Sequence, residues 1–446
     1  MSTSETAAVA IEPAATAEPA VVVTKRSPRL WNLSFYLLWQ GQLISALGDA
    51  VYAIALGFWV LDKTGSTAIM GTLMAASSLP RVAIAPFAGV LVDRADRKWM
   101  LVAMDAIRGL AVVLVGVAAL SGRLEVWMVM AAGVIISAAS AFFNPAVASA
   151  LPDIVPSGSI LQANSAFALL QTGSGVLGSA AGGFLYQLLG APLMFLANGI
   201  SYVVAAVASV PIRVPKVQFE NTELAAAAPV GQSSFLRDLK AGLGFVWQYR
   251  GIRNLLFTAA GLNFFAVVGM TLLLPLFQRT PGLGSGGYGI MTAALTGGMF
   301  VGFLLTSMRQ IAYGRRFLVF FVSGVGSMAL ATLMPVWLNV AVMSALAAGF
   351  GLANAVTNSF ISAVLQSAVP QHLRGKVFSL VGTIAGGLTP LAFALAGGLA
   401  EILPLRGLIA AAFGVTMLCF IPMAFSAPTR RLINYDPAKS TLEEIR

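Results

Sequence analysis

The sequence predicts an all-α membrane protein: twelve transmembrane helices arranged as two pseudo-symmetric six-helix bundles. Three observations predict it. Of 446 residues, 58% are hydrophobic and only 10% charged, with a mean hydropathy of +0.85, whereas about a quarter of a soluble domain is charged. The apolar residues gather into long runs of about 20 or more, the length a helix needs to cross roughly 30 Å of hydrocarbon. The chain also partly repeats itself. At a constant offset of 214 residues, Asn144 meets Asn358, Leu151 meets Leu365, Val155 and Pro156 meet Val369 and Pro370, Ser165 meets Ser379, Gly173 meets Gly387, Gly183 meets Gly397 and Leu185 meets Leu399.

In chain order, residues 1–30 are rich in Ala, Pro, Thr and Glu and lack a basic start followed by a long apolar core. They read as a disordered cytoplasmic tail and not as a secretory signal. Six spans follow, at 33–60, 68–91, 99–120, 126–150, 160–189 and 192–211, giving a first bundle over 31–211. Residues 212–251 are the longest polar segment. Its latter part, "SSFLRDLKAGLGFVWQYRGIRN", alternates apolar and basic residues at helical spacing, the pattern of an interfacial amphipathic helix in a cytoplasmic linker. Six further spans, at 252–277, 287–308, 316–335, 338–361, 377–402 and 405–426, give a second bundle over 252–426, and 427–446 forms a cytoplasmic tail. The 214-residue offset makes spans ten and eleven repeats of four and five. Two such halves around a site near the membrane midplane are an architecture of secondary transporters.

Basic residues set the orientation, because cytoplasmic loops hold the excess of Lys and Arg. Of 27, 21 fall on the side of the N-terminus and four (Lys63, Arg123, Arg279, Arg406) on the other. Both termini are therefore expected in the cytoplasm. The net charge of +10 is spread among loops with no dense basic patch, so nucleic acid is not an expected partner. One histidine and one cysteine cannot build a metal cluster or a disulfide framework, and no metal or other cofactor is expected. No Gly-Lys-Ser/Thr phosphate loop and no catalytic constellation occur, so neither an ATP-driven pump nor an enzyme is expected.

The stretch "GVLVDRADRK", residues 89–98, crowds both signs of charge behind a long apolar run. Its pattern Gly-x-x-x-Asp-Arg-x-Asp-Arg-Lys, placed between spans two and three, resembles the loop signature of the major facilitator superfamily. The resemblance covers residues 31–426. Within that superfamily "GQLISALGDA", "DKTGSTAIMG", "LPRVAIAPFAGVLVDRADRK", "VPQHLRGKVFSL" and "RVPK" are similar to the macrolide-efflux branch of drug:proton antiporters, and siderophore exporters are also similar. The resemblance implies that Gly89, Asp93, Arg94, Arg97 and Lys98 act as a conformational switch. Gly89 would allow close helix approach, and the charges would bond to neighbouring loops and helix ends, the Asp near Lys376 to Ser379. On the alternative reading, Arg94, Arg97 and Lys98 only obey the positive-inside rule. In "GSGVLGSAAGG", Ser179 stands where the antiporter signature has proline. Close packing by Gly173, Gly178, Gly182 and Gly183 is the other reading of that run.

Charged residues inside spans are costly and mark function or pairing. Asp49 and Arg81 lie at similar depths, roughly 16 and 20 Å from the outer ends of their spans, and Arg108 reaches the same zone. Asp49, Arg81, Asp105 and Arg108 are the candidate proton-coupling residues. Asp49 would exchange a proton for cargo as its balance of burial and positive charge changes. A permanent Asp49–Arg81 or Asp105–Arg108 ion pair is the structural alternative. Phe35, Gln42, Ser45, Tyr52 and Trp59 share a stripe with Asp49 on span one, which suits a cavity wall for amphipathic cargo. Asn144, Gln171, Asn263 and Asn358 join them as candidate cavity residues or as interhelical ties. The sequence thus points to a proton-coupled exporter of a small amphipathic organic compound that acts as a monomer in the lipid bilayer. A dedicated siderophore or metabolite exporter and a non-transporting membrane sensor are the alternatives.

Overall fold

The computed structural model describes residues 30–213, 243–244, 246–308, 311–369, 377, 383 and 386–435. The N-terminal tail, most of the 212–251 linker, His372 and the Lys376 to Ser379 region, Val377 excepted, lie outside the described residues. The helices are α1 (Leu33–Thr64), α2 (Thr67–Arg94), α3 (Arg97–Leu120), α4 (Val126–Ile154), α5 (Ile160–Ser209), α6 (Arg250–Arg279), α7 (Gly284–Met308), α8 (Arg316–Leu333), α9 (Val340–Ala368), α10 (Thr389–Ile402), α11 (Leu405–Leu418), α12 (Ile421–Phe425) and α13 (Ala427–Ile433). Among the described residues there is no strand, and ten helical segments are long and apolar enough to cross a membrane.

One of the ten, α5, has 50 residues, about 75 Å of helix and enough for two crossings. Gly190 breaks it with φ 70° and ψ 168°, a conformation that only glycine adopts freely. Two limbs result, 160–189 and 191–209. Their boundary falls where the sequence separates spans five and six.

Short polar residues cap the starts of several other helices. The Asn32 side chain accepts from the Phe35 amide of α1 at 3.0 Å, and Ser66 does the same for Ile69 of α2. Asp96 accepts from Lys98 and Trp99 of α3, and Asn339 from Ala341 and Val342 of α9. Each satisfies donors that a helix leaves open in its first turn.

The buried apolar residues form three clusters. Two belong mainly to α1–α5 and the third to the chain from Val246 to Ile433. We label the end that carries the α1–α2 turn, the α3–α4 turn and Gly190 the outer end, following the charge asymmetry. The hydrogen bonds joining the two groups of helices, among the described residues, lie toward this end. The segment read as a tail begins with α13, whose Leu432 and Ile433 are 2% and 1% exposed. It packs across Gly251, and the Asn434 side chain accepts from the Phe317 amide at 2.9 Å. The docked part of the C-terminal segment thus extends the second core.

Candidate functional site

A buried charge cluster lies inside the first group of helices. Gly41, Ser45 and Gly48 give α1 a small-residue face, and such faces let helices approach closely in a membrane. A methyl on Gly41 would fall 3.3 Å from the Ala205 Cα, and one on Gly48 2.7 Å from the Ser201 Oγ. The second limb of α5 therefore runs tight against α1. The Asp49 carboxylate meets that limb, where the Tyr202 hydroxyl and, at 3.3 Å, the Asn198 Nδ2 donate to its Oδ1.

The third wall is α3. Asp105 and Arg108, one helical turn apart, form an ion pair, with Asp105 0% and Arg108 5% exposed. The guanidinium lies between two rings, 4.1 Å from the Phe143 centroid of α4 and 4.6 Å from that of Tyr202. Its positive charge also acts on Asp49. Tyr202 thus joins the two halves of the cluster, its hydroxyl on Asp49 and its ring on Arg108. Two carboxylates face one guanidinium, so the cluster carries one negative charge in excess when both acids are ionised. Charges withdrawn from water are costly unless paired. The Asp105 Oδ2 and the Tyr52 hydroxyl have no hydrogen-bond partner among the described residues. Neutralising one acid with a proton removes the imbalance, which is the chemistry this arrangement offers.

Several expected positions fall elsewhere. Arg81 is exposed, forms no ion pair among the described residues, and hydrogen-bonds through its backbone amide to the Ser137 Oγ at 3.1 Å. Asp49 is joined instead to Arg108 through Tyr202, because the glycine face of α1 turns the carboxylate toward the second limb of α5. Equal depth had suggested Arg81, but depth does not fix the direction around a helix. Phe35, Ser45 and Tyr52 face the packed interior instead of an open wall: Phe35 is 0% exposed and meets the rings of Trp31 and Phe167. Gln42 and Trp59 are half-buried, Trp59 against Phe195. Asn144, Gln171, Asn263 and Asn358 are exposed, and Asn358 donates to the Asn354 side chain at 2.8 Å.

In the switch stretch, a methyl on Gly89 would meet nothing within 4 Å among the described residues, which leave out most of the Lys376 to Ser379 region expected beside it. Asp93 and Arg94 end α2, and their side chains lie outside the described atoms. Arg97 donates to the Ser149 carbonyl at 3.2 Å and pairs with Asp153 of α4, a bond within one helix group. Lys98 lies over the Trp99 ring at 5.5 Å. In the glycine run, Gly178, Gly182 and Gly183 pack closely, whereas a methyl on Gly173 would meet nothing within 4 Å among the described residues. The sequence reading missed Phe143, Asn198 and Tyr202. Asn198 and Tyr202, one turn apart on one face of an apolar span, were the available signal.

At the inner end of the second helix group a cavity of about 540 Å³ is lined by Thr306, Ile311, Tyr313, Arg316, Ser359 and Phe360, among others. No α1 residue lines it.

The chain is 27% identical over 380 residues to macrolide efflux protein A of Streptococcus pyogenes, covering 83% of this chain and 90% of that one. It is 25% identical over 417 residues to the multidrug efflux pump Tap of Mycobacterium tuberculosis, covering 90% and 95%. Among solved structures, a bacterial homolog of the human lysosomal transporter Spinster superimposes with a TM-score of 0.64 at 16% identity, covering 91% of this chain and 97% of that one. A bacterial homologue of the iron transporter ferroportin does so with 0.63 at 16%, covering 87% and 98%. The family model described as Major Facilitator Superfamily matches residues 38–392. With that match over most of the chain and the same helical fold, this multi-pass membrane protein belongs to the Major Facilitator Superfamily, whose members are transporters and not enzymes.

Proposed function

We propose that the protein exports a small amphipathic, drug-like compound from the bacterial cytoplasm in exchange for protons, by alternating access between its two helix groups. The observation that carries this reading is the Asp49–Tyr202–Arg108–Asp105 cluster. A membrane-buried site with two acids and one base has a use for exactly one proton, and the named relatives are efflux proteins. In the protonated state Asp49 or Asp105 is neutral and the cluster balances. Loss of that proton leaves a buried excess charge, which favours a rearrangement of α1 against α3 and the second limb of α5. Tyr202 carries this change, because its hydroxyl bond to Asp49 and its ring contact with Arg108 cannot both be kept if α1 moves. Twelve crossings, with both termini in the cytoplasm and one protein chain per transporter, complete the reading. Asn144, Gln171, Asn263 and Asn358 are the polar groups available to cargo.

Proteoliposomes loaded with a fluorescent macrolide-like or cationic dye test it. A pH gradient should drive dye movement and dye should move protons, while Asp49→Asn should lower gradient-driven flux at least about tenfold and leave dye exchange without a gradient largely intact. Flux indifferent to the gradient in the native protein would remove the proton from the mechanism.

A further inference from the structure

The outer end is closed by two crossings related by the internal repeat. At one, a methyl on Gly183 of α5 would fall 2.9 Å from the Gly289 Cα of α7. At the other, a methyl on Gly397 of α10 would fall 2.8 Å from the Gly71 Cα of α2. Gly183 and Gly397 are partners at the 214-residue offset. One helical turn further on, each helix presents a side chain to the start of the helix it crosses, and these two are again offset partners. Gln187 lies against Gly284 and Gly286 at the start of α7. Glu401 meets the start of α2, where its Oε1 accepts from the Ser66 Oγ at 2.7 Å, the Thr67 Oγ1 at 3.1 Å and the Ala68 amide at 2.9 Å. The repeat is kept in shape and broken in charge.

Charge is matched to helix polarity on both sides of the α1–α2 turn. The Glu401 carboxylate sits at the N-terminal, positive end of α2. Arg279, the last residue of α6, donates through Nη2 to the Gly65 carbonyl at 2.7 Å, at the negative end of α1. Beside it Gln278 donates to Asp62, which also accepts from Tyr186. One helix group thus holds the α1–α2 turn of the other at both of its dipole ends.

We propose that Glu401 and Arg279 form the latch that keeps this end shut, and that its release is the step that opens the transport path on this side. Gln187 is its uncharged counterpart. The exporter reading supplies only the direction in which the opened path discharges. The latch is exposed, and exposed ionic contacts are individually weak, as a gate that opens in every cycle requires.

Spin labels at Arg123 and Val336, exposed turn residues of the two helix groups at this end, would report the opening in nanodiscs, with Cys419→Ser as background. The native latch should give one short separation. Glu401→Gln should add a longer one, raising the open-to-closed ratio about threefold, as expected for loss of an exposed ionic contact. Arg279→Gln should shift it in the same direction from the other side of the turn. Glu125→Gln is the control: this carboxylate lies at the same end but faces Lys63, 3.8 Å away, in its own group, and should change nothing. If neither latch variant moves the separation, or Glu125→Gln moves it equally, the latch is refuted. A shift without any proton-driven flux would keep the latch and remove the exporter reading.

Discussion

Tyr202 donates its hydroxyl to the Asp49 carboxylate while presenting its ring, 4.6 Å away, to the Arg108 guanidinium. One side chain from the second limb of α5 therefore touches an acid of α1 and the base of α3.

Tyr202→Phe keeps the ring and removes the bond, leaving Asn198 as the donor to that oxygen among the described residues. A hydrogen bond to a charged group contributes about 1.5–3 kcal/mol. Gradient-driven export in proteoliposomes should fall roughly tenfold while cargo exchange without a gradient changes little. An equal loss in both assays would show that Tyr202 serves cargo or folding and not the proton.

Arg108→Gln should destabilise the protein more than Asp105→Asn, because it leaves two acids facing no base. Removing one member of a buried pair costs about 3–5 kcal/mol. The double variant should cost less than the sum by at least about 1 kcal/mol, since the two changes remove one shared interaction. Thermal unfolding of the four proteins in a single detergent measures the cycle. Strict additivity would mean that the pair is not coupled.

Gly173→Ala and Gly178→Ala should differ in sign. Gly173 has open space among the described residues, and a methyl there should gain up to about 1 kcal/mol from helix propensity. A methyl on Gly178 would press on Ala50 of α1, an overpacking that costs about 1–3 kcal/mol. Melting temperatures of the two variants decide this, and equal values would contradict the packing described.

Gly397→Ala should block closure at the outer end, since the methyl would fall 2.6 Å from the Thr67 carbonyl oxygen. Gly398→Ala, next to it, meets nothing within 4 Å among the described residues and should transport normally. The first should lose at least about tenfold in flux with its folding intact, following the cost of overpacking at a tight crossing. Equal flux in the two variants would show that the crossing is not needed for the cycle.

Most of the fold was legible in the sequence because the membrane imposes lengths. Runs of about 20 apolar residues mark crossings whatever lies beside them, and the break in α5 falls between the spans read at 160–189 and 192–211. The depth of Asp49 was equally readable. Its partner was not, because the direction around α1 is set by which neighbour can come close. That depends on Gly41 and Gly48 finding Ala205 and Ser201 about 150 residues away, on the scale of a whole domain. The polar stripe on α1 misled for the same reason: Phe35 and Tyr52 share a face with Asp49, and that face is the packed one. The repeat was visible through Gly183 and Gly397, yet its meaning needed the partner glycines 71 and 289. Glu401 is one acid near a span end. That it reaches Ser66, 335 residues away, no local pattern records.

The docked α13 bears on how the gene tolerates truncation. A stop codon after residue 426 would spare every apolar crossing and the charge cluster, but it would strip Leu432 and Ile433 from the seam beside Gly251 and Phe317. Such a shortened product should be several-fold less abundant than the full chain, so a drop in its activity alone would not report on turnover. A fluorescent protein appended beyond Tyr435 leaves the seam whole, so abundance and activity can then be scored separately in living cells.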